Sequence, residues 1–219
     1  MRVLIFGATG MIGQAALRAC LLAPDVSEVV TIGRRATGRT HAKLREIVHE
    51  DLLDYGALAG QLAGFDACLF CLGIASSGMS EADYSRVTYE MPIAAARALL
   101  APNPDMVFVY ISAAGADSTE KGRIMWARVK GRAENALLKM PFRGVYVFRP
   151  LIVRPLHGIE SRTTLYRLFY KAFGPLLGPF ERLLPRYVTS TDTIGNALLK
   201  VVRTGAPKHV LECEDINRL

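Results

Sequence analysis

The sequence contains no apolar stretch long enough to cross a membrane. A membrane-spanning helix needs roughly 18 consecutive uncharged apolar residues, and no segment of the chain provides them. Arg2 precedes an apolar run, as in a secretory signal peptide, but glycines interrupt that run early and no A-x-A cleavage site follows it. These absences favour a cytosolic protein.

Cysteine is scarce, with four in the chain: Cys20, Cys68, Cys71 and Cys213. Cys68 and Cys71 have the C-x-x-C spacing of a thioredoxin-like redox pair, but they lie in a predicted strand, where residues i and i+3 face opposite sides of the sheet. We therefore interpret them as core residues. Zinc-finger and RNA-binding signatures are absent as well, so we expect neither a metal site nor a nucleic-acid partner.

Low-complexity segments and internal repeats are also absent. The 219 residues, of which 51% are hydrophobic and 21% charged, suffice for one α/β domain that spans residues 1–219. The net charge is +7, and residues 154–208 carry most of it, with nine Lys and Arg against three Asp and Glu. A solvated basic face accounts for this excess, and peripheral contact of that face with an anionic surface is the alternative.

A glycine-rich turn follows the first apolar run. Residues 1–6 predict a buried parallel strand, and residues 14–22 predict a helix. Between them lie Gly7, Gly10 and Gly13. The first permits a tight turn, the second lets the backbone approach a pyrophosphate, and the third lets the helix pack close to the strand. With the phosphates at the helix N-terminus, this arrangement predicts a dinucleotide site.

The loop reads Gly-Ala-Thr-Gly-Met-Ile-Gly and resembles the GATGxxG loop of the extended and atypical short-chain dehydrogenases/reductases, an epimerase/dehydratase-like family. The resemblance extends to about residue 150 and more faintly to about 200. It implies that Thr9, Met11 and Ile12 join the three glycines at the cofactor. It also implies a substrate cap over residues 154–187.

The alternation of predicted strands and helices independently favours an α/β fold. We expect a Rossmann-type, doubly wound parallel sheet of about seven strands, with helices on both faces and a small C-terminal cap.

Two arginines follow the second predicted strand. NAD-binding folds of this type place an acidic residue here for the ribose 2′-hydroxyl, whereas arginine suits a 2′-phosphate. Arg34 and Arg35 therefore predict NADP(H) as the cofactor, and a solvated basic turn is the alternative.

The resemblance assigns further cofactor contacts to the ends of three later strands: Asp51, Leu52, Cys71, Leu72, Gly73 and Pro150. Three of these residues also have an ordinary structural interpretation that does not involve the cofactor. Asp51 equally suits the start of a turn. Gly73 equally suits a plain strand end, and Pro150 equally suits the termination of a strand.

The predicted catalytic residues are Ser112, at the end of the fifth strand, and Trp126 and Lys130 on the following helix. The family carries Tyr-x-x-x-Lys on that helix, with both side chains on one face, and its Lys holds the nicotinamide ribose. Lys130 matches this pattern, but Trp126 replaces the tyrosine. An indole N–H only donates hydrogen bonds and cannot serve as a general acid or base. In addition, Ala113 and Ala114 stand where the extended branch usually has its catalytic serine.

These residues predict an NADP(H)-dependent oxidoreductase that acts on a small carbonyl or quinone-like substrate. The alternative is a catalytically weak NADP(H)-binding redox sensor or regulatory protein. The substitution at Trp126 favours the alternative, whereas the glycine loop, Arg34 and Lys130 fit both hypotheses.

Overall fold

The computed structural model describes residues 1–159 and 183–219, and its central feature is a parallel β-sheet. In chain order the strands are β1 (Arg2–Phe6), β2 (Glu28–Gly33), β3 (Leu44–Val48), β4 (Ala67–Phe70), β5 (Val107–Ile111), β6 (Gly144–Arg149), β7 (Ile152–Arg154), β8 (Val188–Ser190) and β9 (Val210–Glu212). Seven of them form one sheet in the order β3-β2-β1-β4-β5-β6-β9. The strands β7 and β8 form a separate parallel pair.

Helices cover both faces of the sheet. They are α1 (Met11–Leu22), α2 (Glu81–Ser85), α3 (Met91–Leu100), α4 (Met125–Leu138), α5 (Thr191–Thr204) and α6 (Cys213–Arg218). In β1, Val3 and Ile5 face the core shared with α1 and α5, while Leu4 and Phe6 face the core shared with α3 and α4. Burial of both faces explains why the central strands are continuously apolar. The predicted doubly wound α/β fold is confirmed.

The apolar spacing of residues 81–100 predicts one long helix, and Pro92 inside it predicts a kink or break. The structure shows that a turn of π-helix at Arg86–Glu90 interrupts the segment. Pro92 has no backbone N–H and cannot bond to the carbonyl of Thr88 four residues earlier. The hydroxyl of Tyr110 donates to that carbonyl instead, at 3.0 Å. The missing N–H of Pro92 therefore accounts for the free carbonyl of Thr88, and β5 supplies the compensating hydrogen bond.

Other predictions about local structure need correction. Helix α1 begins at Met11, immediately after the glycine turn, rather than at residue 14. The family resemblance implies that Asp192 caps a helix over residues 193–202. In the structure that helix, α5, begins at Thr191 with Ser190 as its N-cap, so Asp192 lies in its first turn. The pair β7–β8 and the short helix α6 were not predicted. Most of the predicted cap, residues 160–182, lies outside the described residues.

None of the helices that the structure describes is both long enough and apolar enough to span a bilayer.

Candidate functional site

The strand order reverses between β1 and β4, and a cavity of about 610 Å³ opens at the carboxyl ends of these strands. Ligands of open α/β sheets bind at such a reversal point, and this volume is typical of small-molecule sites. Six of the predicted cofactor-binding residues line it: Gly7, Thr9, Arg34, Arg35, Leu52 and Leu72. We call this space the strand-end cavity.

The backbone of the loop approaches its surroundings so closely that two positions require glycine. Gly7 has a φ of +74°, and a β-carbon there would stand 2.6 Å from the amide nitrogen of Leu72. A β-carbon on Gly13 would stand 2.0 Å from the carbonyl oxygen of Gly7, so helix and turn touch through their backbones. Gly10 is different, because its nearest neighbour would be the Gly7 oxygen at 3.4 Å. The side of Gly10 is therefore open for a ligand.

Helix α1 begins beside the loop that lines the cavity. Gly10 is its N-cap and provides no side chain to accept from the free amides of the first turn, which includes the predicted contacts Met11 and Ile12. The first turn also carries no acidic residue. Uncapped amides together with the helix dipole favour an anion such as a phosphate at this point.

Arg34 and Arg35 are exposed at the rim of the cavity, directly after β2. Across residues 1–159 and 183–219, neither guanidinium has an ion-pair partner. The turn that follows them is anchored by Glu46 on β3, whose carboxylate accepts from the Thr37 amide at 2.7 Å and the Thr31 hydroxyl at 3.2 Å. Two cations on an anchored turn are therefore available to an anionic ligand.

The acidic residue that lines the cavity is Glu50, which the sequence did not single out. Its neighbour Asp51, predicted either beside the adenine or at a turn, accepts from the amide of Leu53 at 3.0 Å. This is the turn geometry that was weighed as the alternative.

Three further predicted contacts follow strands but lie outside the cavity lining. The carbonyl of Pro150, which is buried, accepts from the Ala114 amide at 3.1 Å. Gly73 is exposed, with no atom within 4 Å of the position of a β-carbon. Cys71 is half-buried, and burial raises the pKa of its thiol.

The predicted catalytic residues come together at the ends of β5 and β6. Ser112 is buried directly after β5, and its hydroxyl donates to the carboxylate of Glu134 on α4. Glu134 is 0% exposed and accepts from Arg149 Nη2 at 2.5 Å and Nε at 3.1 Å. The sequence reasoning missed this buried pair. The sequence did contain a signal for Glu134. It follows Lys130 at the i, i+4 spacing at which Lys130 follows Trp126, so all three side chains lie on one face of the predicted helix.

Lys130 lies on α4 with its ammonium 5.7 Å from the centre of the Tyr110 ring. Burial lowers the pKa of Lys130 to about 8, and the negative charge of Glu134 partly opposes that decrease. One turn earlier, the ring of Trp126 lies 3.4 Å from where a β-carbon on Gly115 would stand. The indole therefore lies against the turn that follows Ser112.

The four cysteines are free thiols, and Cys20, Cys68 and Cys213 are buried. Within the described part of the chain, no three His, Cys, Asp or Glu side chains are grouped in a way that could hold a metal ion.

Known proteins place the chain in a family. The model of the NAD dependent epimerase/dehydratase family matches residues 3–122, which is more than half of the chain. Leucinostatins biosynthesis cluster protein T from Purpureocillium lilacinum is 29% identical over 180 residues, covering 81% of this chain and 65% of that protein. The chain thus spans slightly less than two thirds of that relative's length.

"Protein FMP52, mitochondrial" from Eremothecium gossypii is 28% identical over 180 residues, which cover 81% of this chain and 75% of that protein. Among solved structures, the Bordetella bronchiseptica enzyme WbmH in complex with NAD+ superimposes with a TM-score of 0.67 at 20% identity, covering 96% of this chain and 74% of that one. This similarity shows the fold. The family match and the Rossmann architecture together establish that the chain belongs to the NAD dependent epimerase/dehydratase family.

Proposed function

We propose that this protein binds NADP(H) and is an oxidoreductase of a small carbonyl or quinone-like substrate. The observation that carries the proposal is the strand-end cavity, in which the glycine loop and two unpaired arginines line one continuous space. The loop and the first turn of α1 suit a pyrophosphate, while the arginines suit a 2′-phosphate beyond it. Bound NADP(H) would supply hydride chemistry, and the protein would orient it.

The double variant Arg34→Ala/Arg35→Ala tests the choice of cofactor. Each charge-assisted hydrogen bond to a phosphate contributes about 1.5–3 kcal/mol, so we expect NADPH affinity to fall by at least about tenfold while NADH affinity stays nearly unchanged. Fluorescence titration with both cofactors measures this. Arg39→Ala, an exposed arginine that does not line the cavity, is the matched control. Equal losses of affinity for NADPH and NADH would contradict the assignment of NADP(H) as the cofactor.

The fit of the catalytic residues to the proposed reaction is incomplete at two positions. Ala113 and Ala114 stand where the extended branch usually has its catalytic serine. Trp126 occupies the place of the family tyrosine and provides no titrating proton donor. We therefore expect weak reduction of simple ketones and faster reduction of quinone-like acceptors, whose reduced forms are better anions.

Trp126→Tyr is expected to raise ketone reduction. A phenol one helical turn from the charged Lys130 would add a titratable donor, and general acid catalysis is worth about 10²–10⁴-fold. The measurement is kcat/KM for one ketone in the parent and in the variant. Trp126→Phe is the control, because it keeps an aromatic ring without adding a proton donor. If the parent reduces the ketone rapidly and Trp126→Tyr reduces it more slowly, the indole itself contributes to catalysis.

The second candidate function is a redox-sensing or regulatory NADP(H)-binding protein, which Trp126 favours. A panel of quinones, aldehydes and ketones tested with NADPH, beside a binding titration, separates the two candidates. Tight binding without turnover of any acceptor would favour the regulator.

The proposal includes a cytosolic location and a small-molecule substrate, with the basic residues of 154–208 forming a solvated face. Cell fractionation and vesicle co-sedimentation test these points. Recovery of the protein in the mitochondrial fraction would contradict the cytosolic location; the name of the Eremothecium gossypii relative gives mitochondria as its location. Binding to anionic vesicles would contradict the interpretation of residues 154–208 as a solvated face.

A further inference from the structure

The direction of one hydrogen bond limits what Ser112 can do. A serine hydroxyl has a single donor hydrogen, and that of Ser112 is given to Glu134. Glu134 is fully buried and receives two hydrogen bonds from the guanidinium of Arg149, which is always charged. The carboxylate is therefore an acceptor only. Ser112 can offer lone pairs to a substrate, but its hydrogen is already committed.

The acceptor of that hydrogen is held firmly in place. Arg149 also donates to the Ser118 hydroxyl at 2.7 Å and to Glu212 at 3.0 Å, and its side chain is 11% exposed. Turning the Ser112 hydroxyl towards a substrate would break its hydrogen bond to Oε1 of Glu134, which would then accept from Arg149 Nε alone. A hydrogen bond to a charged carboxylate is worth more than one to a neutral carbonyl oxygen, so the hydroxyl stays with Glu134.

Lys130 is in the opposite situation. Its ammonium carries three donor hydrogens. Among the residues that the structure describes, it forms no hydrogen bond or ion pair, and it lies over the face of the Tyr110 ring. It shares one helical face with Trp126 and Glu134, and Trp126 lies against the turn after Ser112. The free cationic donor at this edge of the sheet is thus Lys130.

We propose that Lys130, rather than Ser112, donates the hydrogen bond and the proton to the substrate carbonyl oxygen, with Glu134 and Arg149 as positioning residues. The proposal rests on the proposed oxidoreductase function. Bound NADPH would supply the hydride for the new C–H bond and leave as NADP⁺, the carbonyl π bond would break, and the Lys130 proton would form the O–H bond. The neutral amine would then regain a proton from the buffered solvent, so that one H⁺ is consumed per carbonyl reduced.

The acidity of Lys130 is consistent with this role. Its pKa of about 8 leaves the amine largely protonated at neutral pH and still able to release the proton. The titratable and charged groups around it are Tyr110 from β5, Glu134 from its own helix and Arg149 from β6, which neutralises Glu134. Because an acid must be protonated to act, the reduction rate should fall as the pH rises through about 8.

Lys130→Arg separates this role from cofactor holding. Arginine keeps a cation for the ribose hydroxyls but does not release its proton. With 4-nitrobenzaldehyde as the probe, we expect NADPH affinity to be nearly retained and kcat to fall by about 10²–10⁴-fold, with loss of the decline near pH 8. Ser112→Ala should cost at least about tenfold less in kcat than Lys130→Arg. Lys139→Arg, immediately after the last residue of α4, is the matched control.

A second measurement does not depend on turnover. In protein labelled with ¹³C at the lysine ε-carbon, the signal missing from Lys130→Arg should titrate near pH 8 in the unmodified protein. A midpoint at the ordinary lysine value of about 10.4 would overturn the proposal. A loss in Ser112→Ala as large as that in Lys130→Arg would do the same and leave the proposed function intact. NADPH binding without turnover of any carbonyl would instead count against the oxidoreductase function and this proposal together.

Discussion

Gly13→Ala is expected to abolish NADPH binding and to destabilise the protein by about 3 kcal/mol, the upper end of the usual cost of overpacking. The added β-carbon would stand 2.0 Å from the carbonyl oxygen of Gly7. No rotamer change can move the two apart, because the oxygen belongs to the backbone and the backbone fixes the position of the β-carbon. Either α1 separates from β1 or the loop changes shape. Thermal unfolding and an NADPH titration measure the two effects.

Gly10→Ala is the matched comparison. Its β-carbon meets the Gly7 oxygen at 3.4 Å, and Gly10 has a φ of −81° and a ψ of 167°, which alanine adopts readily. We expect this variant to remain folded and to lose affinity because the methyl group occupies the approach of the pyrophosphate. NADPH affinity equal to that of the parent would refute the phosphate-loop interpretation. Thermal stability of Gly13→Ala equal to that of the parent would contradict the close contact between Gly13 and the carbonyl oxygen of Gly7.

Glu134→Ala should lower the free energy of unfolding by about 3 kcal/mol, the lower end of the range for breaking a buried ion pair, because Arg149 keeps its half-exposed partner Glu212. Glu134 is 0% exposed, and the two side chains share two hydrogen bonds. The loss arises from a buried charge that Glu212 compensates only in part, rather than from the absence of a favourable ion pair. Chemical denaturation with a two-state fit gives the magnitude.

Two further variants test that explanation. Replacing both partners, in Glu134→Leu/Arg149→Met, should recover most of the lost stability, because no unpaired charge remains. Glu214→Ala removes one partner of an exposed i,i+4 pair with Arg218 and should cost no more than about 0.5 kcal/mol. A double variant as unstable as Glu134→Ala would mean that packing, and not charge, explains the effect.

Much of the fold could be predicted from the sequence, because its signals are local. Continuously apolar runs predict strands buried on both faces, and residues 2–6 and 107–111 form such strands. The spacing of Gly7, Gly10 and Gly13 predicts the turn and the close packing of α1, which the structure shows. The position of Pro92 predicts the interruption before α3. Each of these signals constrains the backbone within a few residues.

The roles of strand-end residues were less predictable. The sequence left Asp51 and Pro150 with two interpretations each, and it did not single out Glu50. Whether a side chain after a strand faces the cavity depends on the turn that follows. The turn around Asp51 directs its carboxylate to the Leu53 amide, while Glu50 and Leu52 line the cavity.

The sequence by itself determined the α/β class, the dinucleotide-type loop and the alternation of strands and helices along the chain, because glycine conformation and hydrophobic periodicity act at short range. The tertiary structure decided which donor and acceptor face each other at the catalytic edge. Glu134 meets Ser112 and Arg149 from two other elements, at sequence separations of 22 and 15 residues. Such a pairing exists only when α4, β5 and β6 are packed together, because burial removes the water that would otherwise satisfy each group.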